Sequence, residues 1–306
     1  MTAPSLATYA RRALDAASVD RGAKVLVACS GGLDSQVLLD VLAHVARDGR
    51  IALVAHGVDH GLRAEATAEL DRAERLAASR GVAFTRTQVD VGGGSNLQAR
   101  ARDARFVALR AAARATGATF VATGHHADDR AETVLIRLVR GAPLAGLAVL
   151  PERSKDLLRP LIRARRGELA AHAVRRSLPF ADDPSNLDRR HLRVRIRQEL
   201  LPLLASLDPR IVEHLVALAE QAGDLAGALP PAAADSLRTV CGDSARAIAA
   251  VRAATATRNS RARVRLRGGA TARWDALLGV VITSTRAPAD SSEPVAATAP
   301  SVARRG

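Results

Sequence analysis

Lys24-Val25-Leu26-Val27-Ala28-Cys29, running into Ser30-Gly31-Gly32-Leu33-Asp34-Ser35, reads as a buried strand that enters a helix through a loop shaped for phosphate. The first six residues form a short apolar run of the kind found inside a parallel sheet. From Ser35 to Ala46 the apolar residues at 37, 38, 41, 42 and 45 fall on one helical stripe. Gly31 and Gly32 let backbone N–H groups converge where a side chain would block them, and the helix N-terminus adds positive potential. Ser30 and Ser35 offer hydroxyl donors. Asp34 is an acid beside an expected polyanion, which makes sense if a Mg²⁺ ion lies between carboxylate and phosphates. A glycine turn with a serine cap is the bland alternative, and the full six-residue pattern in its strand–loop–helix context is the stronger signal. No Gly-Lys-Ser/Thr follows, so the loop is not a Walker A loop.

Outward from this unit, strand and helix patterns alternate through the first 140 residues. Ile51–Ala55, Val82–Val89 and Ala118–Thr123 read as strands, and 65–80, 96–115 and 128–140 as helices. That alternation predicts an α/β fold with a doubly wound, mainly parallel sheet. Beyond residue 150 the pattern is mainly helical, with Arg166–Leu178, Arg190–Leu204 and Pro209–Leu225 as helices. Residues 233–256 read as one more helix, and short strands are expected around Gly268-Gly269. The expected organisation is a catalytic domain with a helical extension over 1–210 and a small C-terminal domain over 211–283. Residues 284–306, rich in Pro, Ser, Ala and Thr, read as a disordered tail.

Composition narrows the function classes. The 306 residues carry a formal charge of +14, which favours a polyanionic partner, nucleic acid before anionic membrane. Only Lys24 and Lys155 are lysines, so Arg supplies almost all of the positive charge. No apolar run approaches the ~20 residues of a membrane span, and Met1–Ala10 lacks the pattern of a signal peptide. Cys29 and Cys241, the two cysteines, offer neither a disulfide framework nor a Cys-x-x-Cys site. A cytoplasmic protein is expected.

Three further segments carry chemistry. Gly124-His125-His126-Ala127-Asp128-Asp129-Arg130-Ala131-Glu132-Thr133 lies at the end of a predicted strand, where open α/β sheets bind their ligands. Asp129-x-x-Glu132 fits a capping box, yet capping alone does not call for two histidines and two adjacent aspartates. These acids are expected to hold a cationic group or a metal ion. His56-Gly57-Val58-Asp59-His60-Gly61-Leu62-Arg63 follows the second strand. Its glycines and the missing third ligand argue against zinc, and a nucleotide-recognising loop with Arg63 toward phosphate fits better. On the helix opening at Asn96, Arg102 and Arg105 are neighbours beside Phe106.

Together these motifs resemble the tRNA(Ile)-lysidine synthase family of the N-type ATP pyrophosphatase, or PP-loop, superfamily. Leu158-Arg159-Pro160-Leu161, Asp182-Asp183-Pro184-Ser185-Asn186 and Leu200-Leu201-Pro202 continue the match in order, over about residues 22–205. The resemblance implies an adenine nucleotide alpha hydrolase-like fold and an ATP-dependent carbon–nitrogen ligase. It implies that ATP adenylates the C2 oxygen of the wobble cytidine in the CAU anticodon of tRNA(Ile), releasing pyrophosphate. Free L-lysine then displaces AMP to form lysidine. Carried over residue by residue, Ser30, Gly31, Gly32, Leu33, Asp34, Ser35, His56 and Gly124 bind ATP, and Asp34 holds Mg²⁺. Asp129 and Glu132 bind lysine, while Arg63, Arg102, Arg193 and Arg195 contact tRNA. Asp34, Arg105 and Arg197 are the catalytic set. Phe106 stands where the family commonly has tyrosine, Val194 where it has asparagine, and Ala142-Pro143 where it has Ser-Gly. A cytidine thiolase of the same superfamily would use cysteines for an iron–sulfur cluster. A non-catalytic RNA-binding protein would gain nothing from the acids at 34, 128, 129 and 132.

Overall fold

A computed structural model describes residues 4–59, 61, 66–90, 97–180, 191–228, 263–265, 271–275 and 279–283. The chain divides into two compact units, Met1–Ala228 and Leu229–Gly306. The expected boundary at 210 therefore falls inside the first unit, whose last helix is Ile211–Ala228. In the second unit, strands β7 (Arg263–Arg265), β8 (Thr271–Asp275) and β9 (Gly279–Thr283) form an antiparallel sheet, with Ala272 facing Val264 and Ile282. The helix expected over 233–256 and the tail at 284–306 lie outside the described residues.

The first unit is built on a six-stranded sheet in the order β3-β2-β1-β4-β6-β5. These strands are β1 (Lys24–Cys29), β2 (Ala52–Asp59), β3 (Ala83–Gln88), β4 (Phe120–Ala122), β5 (Arg153–Ser154) and β6 (Leu157–Leu158). All neighbouring pairs are parallel except β5 with β6. Strand β1 sits at the centre and is buried on both faces, which is why its apolar run does not alternate with polar residues. Its period of two is still visible in the packing. Val25 and Val27 enter one core with α1 (Leu6–Ala16), α2 (Leu33–Ala46) and α6 (Arg166–Arg175). Leu26 enters the opposite core, with Ala108, Leu109 and Ala113 of α4 (Leu97–Thr116).

Helix α3 (Ala66–Ser79) follows β2, and α5 (Ala127–Val139) follows β4. A long helical stretch, α7 (Leu192–Arg195), a π turn (Ile196–Leu200) and α8 (Leu201–Leu207), packs with α9 (Ile211–Ala228) on the apolar side of α5. This packing carries Arg193 and Arg197 to the acidic face of α5, more than 60 residues away in sequence.

Helix α2 is buried almost all round and holds two buried polar side chains that tie it to its neighbours. Gln36 donates to Pro179 O at 2.8 Å. Asp40 accepts from Arg80 at 2.6 Å and lies 2.8 Å from His172 Nε2. Burial alone would raise the Asp40 pKa, but His172, Arg80 and Arg176 outweigh it and hold the group below the ordinary carboxylate range.

Candidate active site

The C-terminal ends of β1 and β4 open on a cavity of about 600 Å³. Its wall includes Ser30, Gly32, Asp34, Ser35, Arg105, Gly124, His125, Asp129 and Arg193. Most of these residues were singled out in the sequence, from motifs nearly 100 residues apart, and the topology brings them to one edge of the sheet.

The loop between β1 and α2 is made by backbone. Gly31 has φ +77°, and a Cβ there would lie 2.3 Å from Glu69 O, so glycine is required on both counts. A Cβ on Gly124 would lie 2.8 Å from Asp34 O, so the end of β4 touches the start of α2. Ser35 works inside the loop. Its hydroxyl donates to Gly32 O at 2.9 Å and accepts from Ser30 N–H at 3.2 Å. Asp34 stands in the first turn of α2 with Oδ1 buried and without a hydrogen-bond partner. Burial raises its pKa and Asp129 adds to the rise, while His126, Arg166 and Arg197 oppose it. Among the described residues no cluster of three His, Cys, Asp or Glu side chains would hold a metal by itself. One unpartnered carboxylate oxygen beside a phosphate loop does fit Mg²⁺, which takes one or two carboxylates plus substrate phosphates.

The segment opening α5 is made by side chains. The capping box is one turn earlier than Asp129-x-x-Glu132. His126 is the cap, its Nδ1 accepts from Asp129 N–H at 3.3 Å, and its own N–H donates to Asp129 Oδ2 at 3.2 Å. Asp129 Oδ1 accepts from Arg193 at 2.8 Å. Burial would raise the Asp129 pKa, but His126, Arg193 and the His126 backbone N–H outweigh it and the net shift is downward. Asp128 accepts the Arg166 N–H at 2.7 Å and pairs with Arg165, which joins α5 to the start of α6. Glu132 is 1% exposed and accepts from Arg193 at 2.7 Å and Arg197 at 2.5 Å. Unlike Asp129, it does not line the cavity wall, although the two acids share Arg193. For Arg197, burial lowers the pKa, but Glu132, Asp129 and Asp34 together raise it.

Two cavity groups are cationic or neutral by surroundings. Arg105 lines the wall with its Nε buried and unpartnered, and its guanidinium lies 5.5 Å from the Phe106 ring centre. It pairs with no carboxylate among the described residues. Burial, reinforced by Arg102, pushes its pKa down, a penalty that an incoming anion would remove. Arg102 lies over the same ring at 5.3 Å, so Phe106 serves through its face and the hydroxyl of a tyrosine is not needed for that contact. His125 is 2.8 Å from Thr123 Oγ1, and burial holds the ring neutral far below its ordinary pKa.

Other expected residues stand elsewhere. His56 lies within β2, 2% exposed, bonded to Thr85 Oγ1 at 2.7 Å, and does not line the cavity. The resemblance carried it over as an ATP contact, in a segment read as following the second strand, but β2 continues past it to Asp59. Arg195 pairs with Glu199 on the exposed side of its helix at 3.3 Å. Val194, between Arg193 and Arg195 in sequence, is buried, an apolar position. Cys29 is buried, and that burial pushes its thiol up to about 12. Arg63 and Asp182–Asn186 lie outside the described residues. Sequence reasoning gave no individual role to His126 or His125, although both stand in the quoted motif.

A family model described as a PP-loop domain matches residues 6–204. A tRNA(Ile)-lysidine synthase of Novosphingobium aromaticivorans is 43% identical over 211 residues, 66% of this chain and 64% of that protein. One from Ralstonia nicotianae is 42% identical over 212 residues, 67% of this chain and 45% of that protein. The chain thus spans about half to just under two thirds of the length of these curated relatives. Among solved structures, a U34-tRNA thiolase of Methanococcus maripaludis with its iron–sulfur cluster superposes with a TM-score of 0.62. That match covers 71% of this chain and 76% of the other at 20% identity, and it concerns the fold.

Proposed function

The chain belongs to the PP-loop family, and from that premise we propose that it ligates lysine to C2 of the wobble cytidine of tRNA(Ile) carrying a CAU anticodon. The observation that carries this reading is one cavity walled by the glycine loop, an arginine without a carboxylate partner among the described residues, and an acid, in a chain about 40% identical to lysidine synthases over about two thirds of its length. The protein is read as a cytoplasmic ATP-dependent carbon–nitrogen ligase. No helix among the described residues is long and apolar enough to cross a membrane.

The residues divide the work. The backbone at Ser30–Leu33 cradles the polyphosphate, with Ser35 holding the loop in shape and Gly124 allowing the close approach. Asp34 holds Mg²⁺, which when bound offsets phosphate charge. The cytidine O2 attacks the α-phosphorus, the α–β bridging bond breaks, and pyrophosphate leaves. Arg105 faces the charge that develops on the α-phosphate. Asp129 orients the lysine amine, which displaces AMP from C2. Glu132 positions Arg193 and Arg197 at the acid face rather than meeting the amine itself. Arg102, with Arg63 and Arg195, meets tRNA phosphates. Base chemistry of this kind needs the cytosine out of its stack, which an anticodon loop permits easily.

A thiolase is the second reading because that fold match is a tRNA thiolase. Two cysteines in the sequence, one of them inert by burial, leave too few ligands for a cluster held by cysteine thiolates. The test is purified protein with ATP, labelled lysine and tRNA(Ile) bearing CAU. Lysine incorporation with release of AMP and pyrophosphate is expected. Tight tRNA binding without incorporation at any Mg²⁺ concentration would sink the proposal.

A further inference from the structure

His126 is 1% exposed and stands between two carboxylates that belong to different halves of the cavity. Its Nε2 lies 3.5 Å from Asp129 Oδ2 and 3.7 Å from Asp34 Oδ2. On the other side of the ring, Nδ1 accepts the Asp129 N–H and lies 3.7 Å from Asp128 Oδ2. Because Nδ1 is an acceptor, a neutral ring carries its proton on Nε2, directed at Asp34 and Asp129. Neither contact is a hydrogen bond at these lengths, but polar contacts in unliganded sites commonly lengthen and tighten when the ligand arrives. Asp34 belongs to the first turn of α2 and Asp129 to that of α5. Among the described residues no other contact joins the Asp34 carboxylate to α5.

We infer that His126 is a positioning residue that spaces Asp34 and Asp129 through one ring, so that the phosphate half and the amine half of the cavity are set together. This rests on the proposed function for what binds at Asp129, but the placement of Asp34 does not. A helix cap alone needs only an acceptor for the Asp129 N–H, and asparagine supplies one as well as or better than histidine. The positioning role needs in addition a donor that reaches both carboxylates from the far side of a ring. His126→Asn therefore separates the two roles.

The experiment measures thermal stability, Mg·ATP affinity by calorimetry, tRNA affinity, and the KM for lysine in the wild type and in His126→Asn, with His126→Ser as a second capping replacement. The inference expects both variants to keep the wild-type melting temperature within a few degrees and tRNA affinity within about twofold. Mg·ATP affinity falls by about tenfold, and the lysine KM rises by a similar factor. Wild-type values throughout would reduce His126 to a cap and overturn the inference. Loss of Mg·ATP affinity with an unchanged lysine KM would also overturn it, since the ring would then serve one acid only. If the wild type binds Mg·ATP but incorporates no lysine, the proposed function fails. The Mg·ATP arm, read alongside Asp129→Asn, then decides the inference alone: positioning through the ring predicts that His126→Asn weakens Mg·ATP binding and Asp129→Asn does so less. Equal wild-type affinity in both would overturn it.

Discussion

Asp34 and Asp129 lie within 3.7 Å of the same imidazole nitrogen, yet their surroundings shift them in opposite directions. Asp34 opens α2 beside a loop shaped by backbone, and among the described residues no arginine bonds to it. One of its oxygens is buried and unpartnered, and burial raises its pKa. Asp129 sits in a segment crowded by side chains. His126, an arginine and a backbone N–H outweigh the same burial and lower its pKa. An acid's type and position therefore do not say whether it is free. What distant segments bring to it does, and by that measure Asp34 is open to a cation while Glu132 is already saturated by Arg193 and Arg197.

The contrast is testable, and its strongest consequence is for turnover. Asp34→Asn is expected to lower lysine incorporation by about 100-fold or more, with tRNA affinity within several-fold, because it removes the charge but not the shape. Equal loss of tRNA binding and turnover would remove the distinction between the two regions. Next comes Glu132→Ala, which strands two arginines against α5. A broken buried pair costs about 3–5 kcal/mol, and since both arginines reach solvent, about 2–3 kcal/mol is expected by denaturant unfolding. A near-neutral result would mean that Glu132 is not the anchor. Gly31→Ala forces a side chain to φ +77° against Glu69 O, and about 2 kcal/mol of lost stability with weakened ATP binding is expected.

The smallest effect is the most direct comparison. With the folded pKa of Asp34 raised, its ionisation works against the fold as pH rises from the ordinary carboxylate value through the raised one. Asp129 is the reverse: its lowered pKa contributes stability that is present above the ordinary carboxylate value and lost as pH falls through the folded value. At pH 7, Asp34→Asn should therefore raise the melting temperature and Asp129→Asn lower it, with both differences fading in acid. The same sign for both would show that the two carboxylates share one environment.

Much of the fold was legible. Strand β1 was read with its observed bounds, and the helices of the alternating units fall within two residues of expectation, because each is a long run of one period. Helix α1 was missed although Leu6, Ala10, Ala13 and Leu14 line one face, since that stretch was inspected only as a possible leader. Strands β5 and β6, two residues each, are too short to have a period; Leu157 and Leu158 pair with Val121 and Ala122 on one side and with Ser154 and Arg153 on the other. Helix α9 was placed in the second domain, and only its packing on α5 assigns it to the first.

For the site, glycine loops, the acid at 34 and the arginine beside Phe106 could be recognised locally, since backbone conformation and helix-terminus charge act over a few residues. The glycine loop and its likeness to the PP-loop family were thus readable from the chain alone. Which acids stay open was not. Asp128, Asp129 and Glu132 look alike in sequence, and Arg193 and Arg197 look like any basic stretch. Packing more than 60 residues later in the chain bonds Arg193 to Asp129, and both arginines to Glu132. Charge and burial act through space rather than along the chain, so the state of each carboxylate emerges only when the folded helices meet.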